Sequence, residues 1–143
     1  MATFHIRQAA IGELPALEDL IERSARDLSR GYYSETQIDA AIRHVFGVDS
    51  ELIADGTYFV VEDGDAVAGC GGWSRRATLF GGDHSAGRDA ALLDPAKDAA
   101  RVRAMYTHPD HTRKGVGRMI LDACEDAARR DFTVNAMYYD PET

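Results

Sequence analysis

No window of this 143-residue chain approaches the uninterrupted apolar length of a membrane-spanning helix, and the opening residues Met1 to Arg7 lack the apolar core of a secretory signal. These two absences predict a cytoplasmic protein with no membrane partner. Cysteine is scarce as well. Cys70 and Cys124 are the only two, one on a predicted strand and one on a predicted helix, which excludes a disulfide framework and a cysteine metal centre and reads as reduced core thiols. Positive charge is in deficit: 16 Lys and Arg stand against 24 Asp and Glu, a formal charge of −8. A nucleic-acid partner calls for a basic face, so that class is excluded as the main partner. The acidity suits a cationic or amine-bearing partner, and equally it only keeps the chain soluble. Internal repeats and low-complexity segments are absent too.

What is present is one domain's worth of chain, residues 1–143, long enough to bury a core. Phe4 and Ile6 alternate with polar neighbours as in a short strand. Pro15 suits the first turn of a helix whose apolar stripe is Leu14, Leu17, Leu20, Ile21, Ala25 and Leu28, with Gly31 as its end. Ser34 and Gln37 have the spacing of a capping box, followed by a second amphipathic helix through Ile38, Ala41, Ile42 and Val45 that closes near Gly47. Residues 57–62 and 66–75 read as a hairpin about the turn signal Asp63-Gly64. Gly69, Gly71 and Gly72 inside its second strand predict a bulge or the close approach of another group. Residues 76–98 have no period and read as a loop or excursion. A strand over 101–107 follows, with Val102, Ala104 and Tyr106 on one face and Arg103, Met105 and Thr107 on the other. A helix over 116–130 and a strand over 132–138 complete a right-handed crossover between parallel strands.

The chain is organised around residues 105–118, Met-Tyr-Thr-His-Pro-Asp-His-Thr-Arg-Lys-Gly-Val-Gly-Arg. They join a strand to a helix N-terminus through a glycine-bearing loop that carries Arg113, Lys114 and Arg118. Free N–H groups and the positive end of the helix dipole make such a terminus a site for phosphate oxygens. Gly115 and Gly117 let a diphosphate approach the backbone, and the three cations add charge that dipoles lack. A P-loop is excluded, because Lys114 precedes Gly115 and no hydroxyl follows in the required place. A dinucleotide fingerprint is excluded because position 120 is Ile, where a third small residue belongs.

The run His108 to Arg118 resembles the acyl-CoA-binding motif of the GCN5-related N-acetyltransferase (GNAT) superfamily. The likeness spans the chain in outline, and about residues 101–130 carry it specifically. It implies an α/β (α+β) fold with a mixed, mostly antiparallel central sheet flanked by helices. It implies acetyl-CoA as acyl donor, with Arg113, Lys114, Gly115, Val116, Gly117 and Arg118 cradling the pyrophosphate. Met105, Tyr106 and Thr107 would line the pantetheine arm, Met105 and Thr107 through their backbones. The implied activity is transfer of an acetyl group to a primary amine, of a small molecule or a peptide, by direct attack. The alternative is a non-catalytic acyl-CoA-binding or interaction module. The chain departs from the family pattern at Thr112, where Gln or Arg is usual. It also departs after residues 132–138, where members typically continue with a helix and two strands. Truncation, a minimal form and completion by a second copy in a homodimer all accommodate that ending.

No catalytic acid or base is assigned. Relatives often place a glutamate on the strand before the motif, and here that strand offers only Arg101 and Arg103 as charged residues. The candidates are Tyr33, beside Tyr32 between the first two helices, Tyr106, which also reads as core, and Tyr138, beside Tyr139 near the end. Asn135 reads equally as a hydrogen-bonding group toward pantetheine or acceptor and as a solvent-facing residue. His108 and His111 are a lone histidine pair on a loop, an arrangement more often structural than metal-binding, so no metal is assigned to them. Cys70 lacks a base partner, which argues against a thiol nucleophile.

Overall fold

The computed structural model describes residues 3–44, 49–76, 91–130 and 132–135. The alternating Phe4 and Ile6 lie in β1 (Phe4–Gln8), and a 3₁₀ turn at Ile11–Glu13 leads into α1 (Leu14–Ser29). Leu17, Leu20, Ile21 and Ala25 of α1 are buried, whereas Leu28, the last member of the expected stripe, is 55% exposed. Gly31 follows the helix at φ +91°. The capping box forms as expected: Gln37 N–H donates to Ser34 Oγ at 3.1 Å and Ser34 N–H donates to Gln37 Oε1 at 2.9 Å. It opens α2 (Glu35–His44); Val45 and Gly47, expected to close it, lie outside the described residues. The five residues of α3 (Ser50–Ala54) are too few to show a period, and only their cap marks them, Asp49 Oδ1 accepting from Glu51 N–H at 3.1 Å.

The hairpin is β2 (Tyr58–Asp63) and β3 (Ala66–Ser74), turning at Gly64 and Asp65 with Gly64 at φ +61°. Then come β4 (Ala99–Thr107), α4 (Val116–Ala128) and β5 (Thr133–Asn135). One sheet forms in the order β1-β2-β3-β4-β5, antiparallel throughout except for the parallel pair β4 and β5 that α4 connects. The expected strand over 132–138 is therefore present at 133–135; Phe132 precedes it in a bend, and residues 136–138 lie outside the described residues. No helix among the described residues is long and apolar enough to cross a membrane.

Side chains alternate across the sheet. Tyr58, Val60 and Cys70 pack with Leu17, Leu20, Ile21, Leu52 and Ile53 on the α1 face. Val61, Ala68, Trp73 and Ala100 pack with Val116, Ile120, Cys124 and Ala128 on the α4 face. The three strand glycines serve close approach. A Cβ at Gly69 would stand 2.6 Å from Val116 Cγ1, and one at Gly71 would stand 2.8 Å from Ile120 Cγ2, so their bareness lets α4 settle on β3. At Gly72 the obstruction would be the Thr57 backbone carbonyl, 2.4 Å away. That carbonyl accepts from Trp73 N–H at 3.1 Å, so it cannot step aside as a side-chain tip can. Gly72→Ala is expected to cost about 3 kcal/mol, at the upper end for overpacking, read as a lowered midpoint in urea unfolding.

The two faces expected of β4 need correction. The β3–β4 register steps from Cys70 opposite Tyr106 to Gly72 opposite Arg103, so β4 holds one extra residue against Gly71. Ala104 takes φ +57° at this bulge. The alternation is thereby broken: Val102 and Met105 pack on the α4 face, and Ala104 and Tyr106 on the α1 face. A strict period of two could not place these residues, because a bulge adds one to the count.

Candidate active site

The bulge is gripped from the α1 face. Tyr58, fully buried on β2, donates its hydroxyl hydrogen to the Ala104 carbonyl at 2.8 Å and lies 3.3 Å from Cys70 Sγ. Burial pushes the Tyr58 phenol well above its ordinary range, so it keeps its proton and remains a donor. One residue earlier, the Arg103 guanidinium donates to Asp49 Oδ2 at 2.7 Å, and both side chains are buried. From sequence, Tyr58 reads only as a strand residue and Asp49 is given no role. The one available signal was an aromatic with a polar tip in a β-branched run, since such a residue needs an inner partner when buried.

On its other side, β4 pairs with β5 only through Ala99, Ala100 and Arg101 among the described residues. The bulge and the residues after it, where Met105, Tyr106 and Thr107 lie, come beyond that parallel pairing. An unpaired strand edge accepts an extended ligand by main-chain hydrogen bonding. Tyr106 is half-buried against the α1 cluster, in keeping with its reading as core.

The loop after β4 is built mostly by itself. His108 N–H donates to the Ala68 carbonyl at 2.8 Å, and His108 Nδ1 accepts from Asp110 N–H at 3.0 Å, opening a 3₁₀ turn at Pro109–His111. Thr112, the departure from the family pattern, donates its hydroxyl to the Pro109 carbonyl at 3.2 Å, so it stiffens the loop. His111 Nε2 sits 3.4 Å from Asp63 Oδ2, and its ring meets Phe4 and His108 edge-on, tying the loop to β1 and to the end of β2. Among the described residues, no three His, Cys, Asp or Glu side chains gather as metal ligands would.

Arg113 at φ +62° and Gly115 at φ +83° then turn the chain into α4. Among the described residues, Ala104 and Arg113 are the only non-glycine positions with positive φ. Each costs about 1–2 kcal/mol, a strain that gathers at functional segments. Gly115 caps α4 without any side-chain hydrogen bond, and open space surrounds the position a Cβ would take. The N–H groups of the first turn therefore face an uncrowded surface, with Arg113, Lys114 and Arg118 exposed around it. Val116, 1% exposed, pins the turn to the bare backbone of Gly69. The loop and helix start thus fit a diphosphate in charge, backbone geometry and room.

Tyr33 lies at the α1–α2 junction, 61% exposed, and Tyr32 beside it is 83% exposed. Tyr138 and Tyr139 lie outside the described residues, and of Asn135 the backbone alone is described, in β5. Of the three tyrosine candidates the structure therefore describes two, Tyr33 exposed at the helix junction and Tyr106 half-buried against the α1 cluster. Both thiols are buried, and burial pushes each up to about 12. At pH 8 neither Cys70 nor Cys124 is expected to react with iodoacetamide in the native protein. Both should be alkylated in urea, counted by intact mass.

A family model described as Acetyltransferase (GNAT) family matches residues 16–140. The chain belongs to that family. Among curated proteins there is no match. Among solved structures, this GNAT chain is similar to the PaiA N-acetyltransferase of Thermoplasma acidophilum in complex with coenzyme A, at 16% identity and a TM-score of 0.61, covering 90% of this chain and 73% of that one. A GNAT family acetyltransferase of Brucella melitensis in complex with acetyl-CoA is 12% identical with a TM-score of 0.58, over 95% and 75% of the two chains. A GCN5-related N-acetyltransferase of Ralstonia eutropha is 17% identical with a TM-score of 0.54, over 95% and 84%. At these identities the likeness is one of fold, and it agrees with the mixed, mostly antiparallel sheet expected for a GNAT protein.

Proposed function

We propose that this GNAT domain transfers the acetyl group of acetyl-CoA to a primary amine by direct attack. The observation that carries the reading is the unbroken succession of bulged strand, left-handed loop and open helix N-terminus ringed by three exposed cations. The backbone N–H groups from Gly115 to Arg118 take the pyrophosphate oxygens, and Arg113, Lys114 and Arg118 supply the opposing charge. Met105 and Thr107 pair with the pantetheine arm through their backbones, beside Tyr106. A backbone N–H at the bulge accepts the role of donor to the thioester oxygen. The neutral amine attacks the carbonyl carbon, a C–N bond forms, the C–S bond breaks, and the proton shed by the nitrogen balances the one taken up by the departing thiolate. The buried, protonated thiols take no part. The negatively charged surface suits an amine acceptor, a small molecule or a peptide.

The test is release of free coenzyme A thiol from acetyl-CoA across a panel of alkylamines, amino acids and peptides. Acceptor-dependent release at rates well above the amine blank is expected. Cofactor binding without release from any amine in the panel would instead support a non-catalytic acyl-CoA-binding module.

A further inference from the structure

Ala104 is strained, and something must hold it. A regular strand conformation is open to alanine at no cost, so the φ of +57° persists because neighbours enforce it. One enforcing contact is the hydrogen bond from the fully buried Tyr58 hydroxyl to the Ala104 carbonyl, 2.8 Å long. The cost of a left-handed alanine and the net worth of a hydrogen bond are of the same order, so this bond offsets much of the strain. The second contact is the Arg103–Asp49 pair, which fixes the residue before it.

A trans peptide unit is planar, with its C=O and N–H pointing in opposite directions. The carbonyl of Ala104 and the N–H of Met105 belong to one such unit. Fixing the first toward Tyr58 therefore aims the second away from the α1 face. Met105 also has no residue of its own opposite it in the β3 register.

We propose that Tyr58 is a positioning residue for the acetyl transfer: through the Ala104 carbonyl it orients the Met105 N–H as the donor to the thioester oxygen. This rests on the acetyl-transfer reading above. Tyr58 itself touches neither cofactor nor acceptor; it acts through one peptide plane. The sulfur of Cys70, 3.3 Å from the phenol oxygen, completes its surroundings, since the single phenolic proton goes to the stronger carbonyl acceptor.

The experiment uses acetyl-CoA labelled with ¹³C at the acetyl carbonyl. Hydrogen bonding polarises that carbonyl and moves its resonance downfield on binding. In Tyr58→Phe, which keeps the ring and its packing, more than half of this displacement is expected to vanish while acetyl-CoA affinity stays within twofold of wild type. Adding Ala104→Gly removes the cost of positive φ, and Tyr58→Phe with Ala104→Gly is expected to regain most of the displacement. A merely structural Tyr58 would change the melting temperature and leave the resonance in place. An unaltered displacement in Tyr58→Phe overturns the proposal, as does a tenfold or greater loss of affinity in that variant. Wild-type protein that fails to bind acetyl-CoA at all overturns the acetyl-transfer reading as well, so the two failures are told apart.

Discussion

Replacing Arg113 and Lys114 together by glutamate is expected to abolish the rise in melting temperature that acetyl-CoA gives the wild-type protein. Both side chains are exposed at the N-terminus of α4, so the fold should survive the change, and the melting temperature without ligand is the control. In water-like dielectric, two unit charges about 6 Å apart interact by about 0.7 kcal/mol. Reversing two cations beside two phosphate charges multiplies that term several-fold. Salt near 0.15 M trims the total, which leaves an affinity loss of about a hundredfold. A ligand at a hundred times its dissociation constant stabilises the native state by about 2.7 kcal/mol, and at one dissociation constant by only a few tenths, so the shift should fall to near nothing. The backbone amides alone cannot compensate, because glutamates placed there compete for the same N–H groups. An undiminished shift in the double variant would place the cofactor elsewhere.

Asp49→Ala should be the most destabilising single change outside the apolar core. The carboxylate is fully buried, caps α3 through Oδ1 and meets the Arg103 guanidinium through Oδ2. Removing it leaves a guanidinium, 8% exposed, without this countercharge, a situation that typically costs about 3–5 kcal/mol, with the lost cap adding about 1. Urea unfolding followed by circular dichroism measures the sum. Neutralising both ends while keeping the cap, as Arg103→Met with Asp49→Ser, should recover most of the loss, because no charge then remains to be solvated in the interior. A single-variant cost under about 1 kcal/mol would mean that the pair is solvated in solution and does not secure the bulge.

Local signals were legible wherever one residue's chemistry decides its backbone. Pro15 at a helix start, Ser34 with Gln37 as a reciprocal cap, and Gly64 in a two-residue hairpin turn are examples. Each works through atoms within four residues of itself. The glycines of β3 were legible as a requirement for closeness, although not as to what comes close. Short α3 was illegible, since five residues complete little more than one helical turn. The two faces of β4 were misread after Val102, because the extra residue at the bulge is set by pairing with β3 and by the Tyr58 hydroxyl, 46 positions away in the chain.

The sequence by itself determined the end of the candidate site proposed to hold the diphosphate. A contiguous loop, two glycines, three cations and a helix start are all consecutive in the chain, and the physics of a helix N-terminus needs nothing from afar. Tertiary structure decided the other end. Which peptide of β4 is turned, and what holds it turned, depends on side chains from β2 and from the cap of α3. They meet β4 only once the hairpin has folded against it, so no spacing along the chain could have named Tyr58 or Asp49.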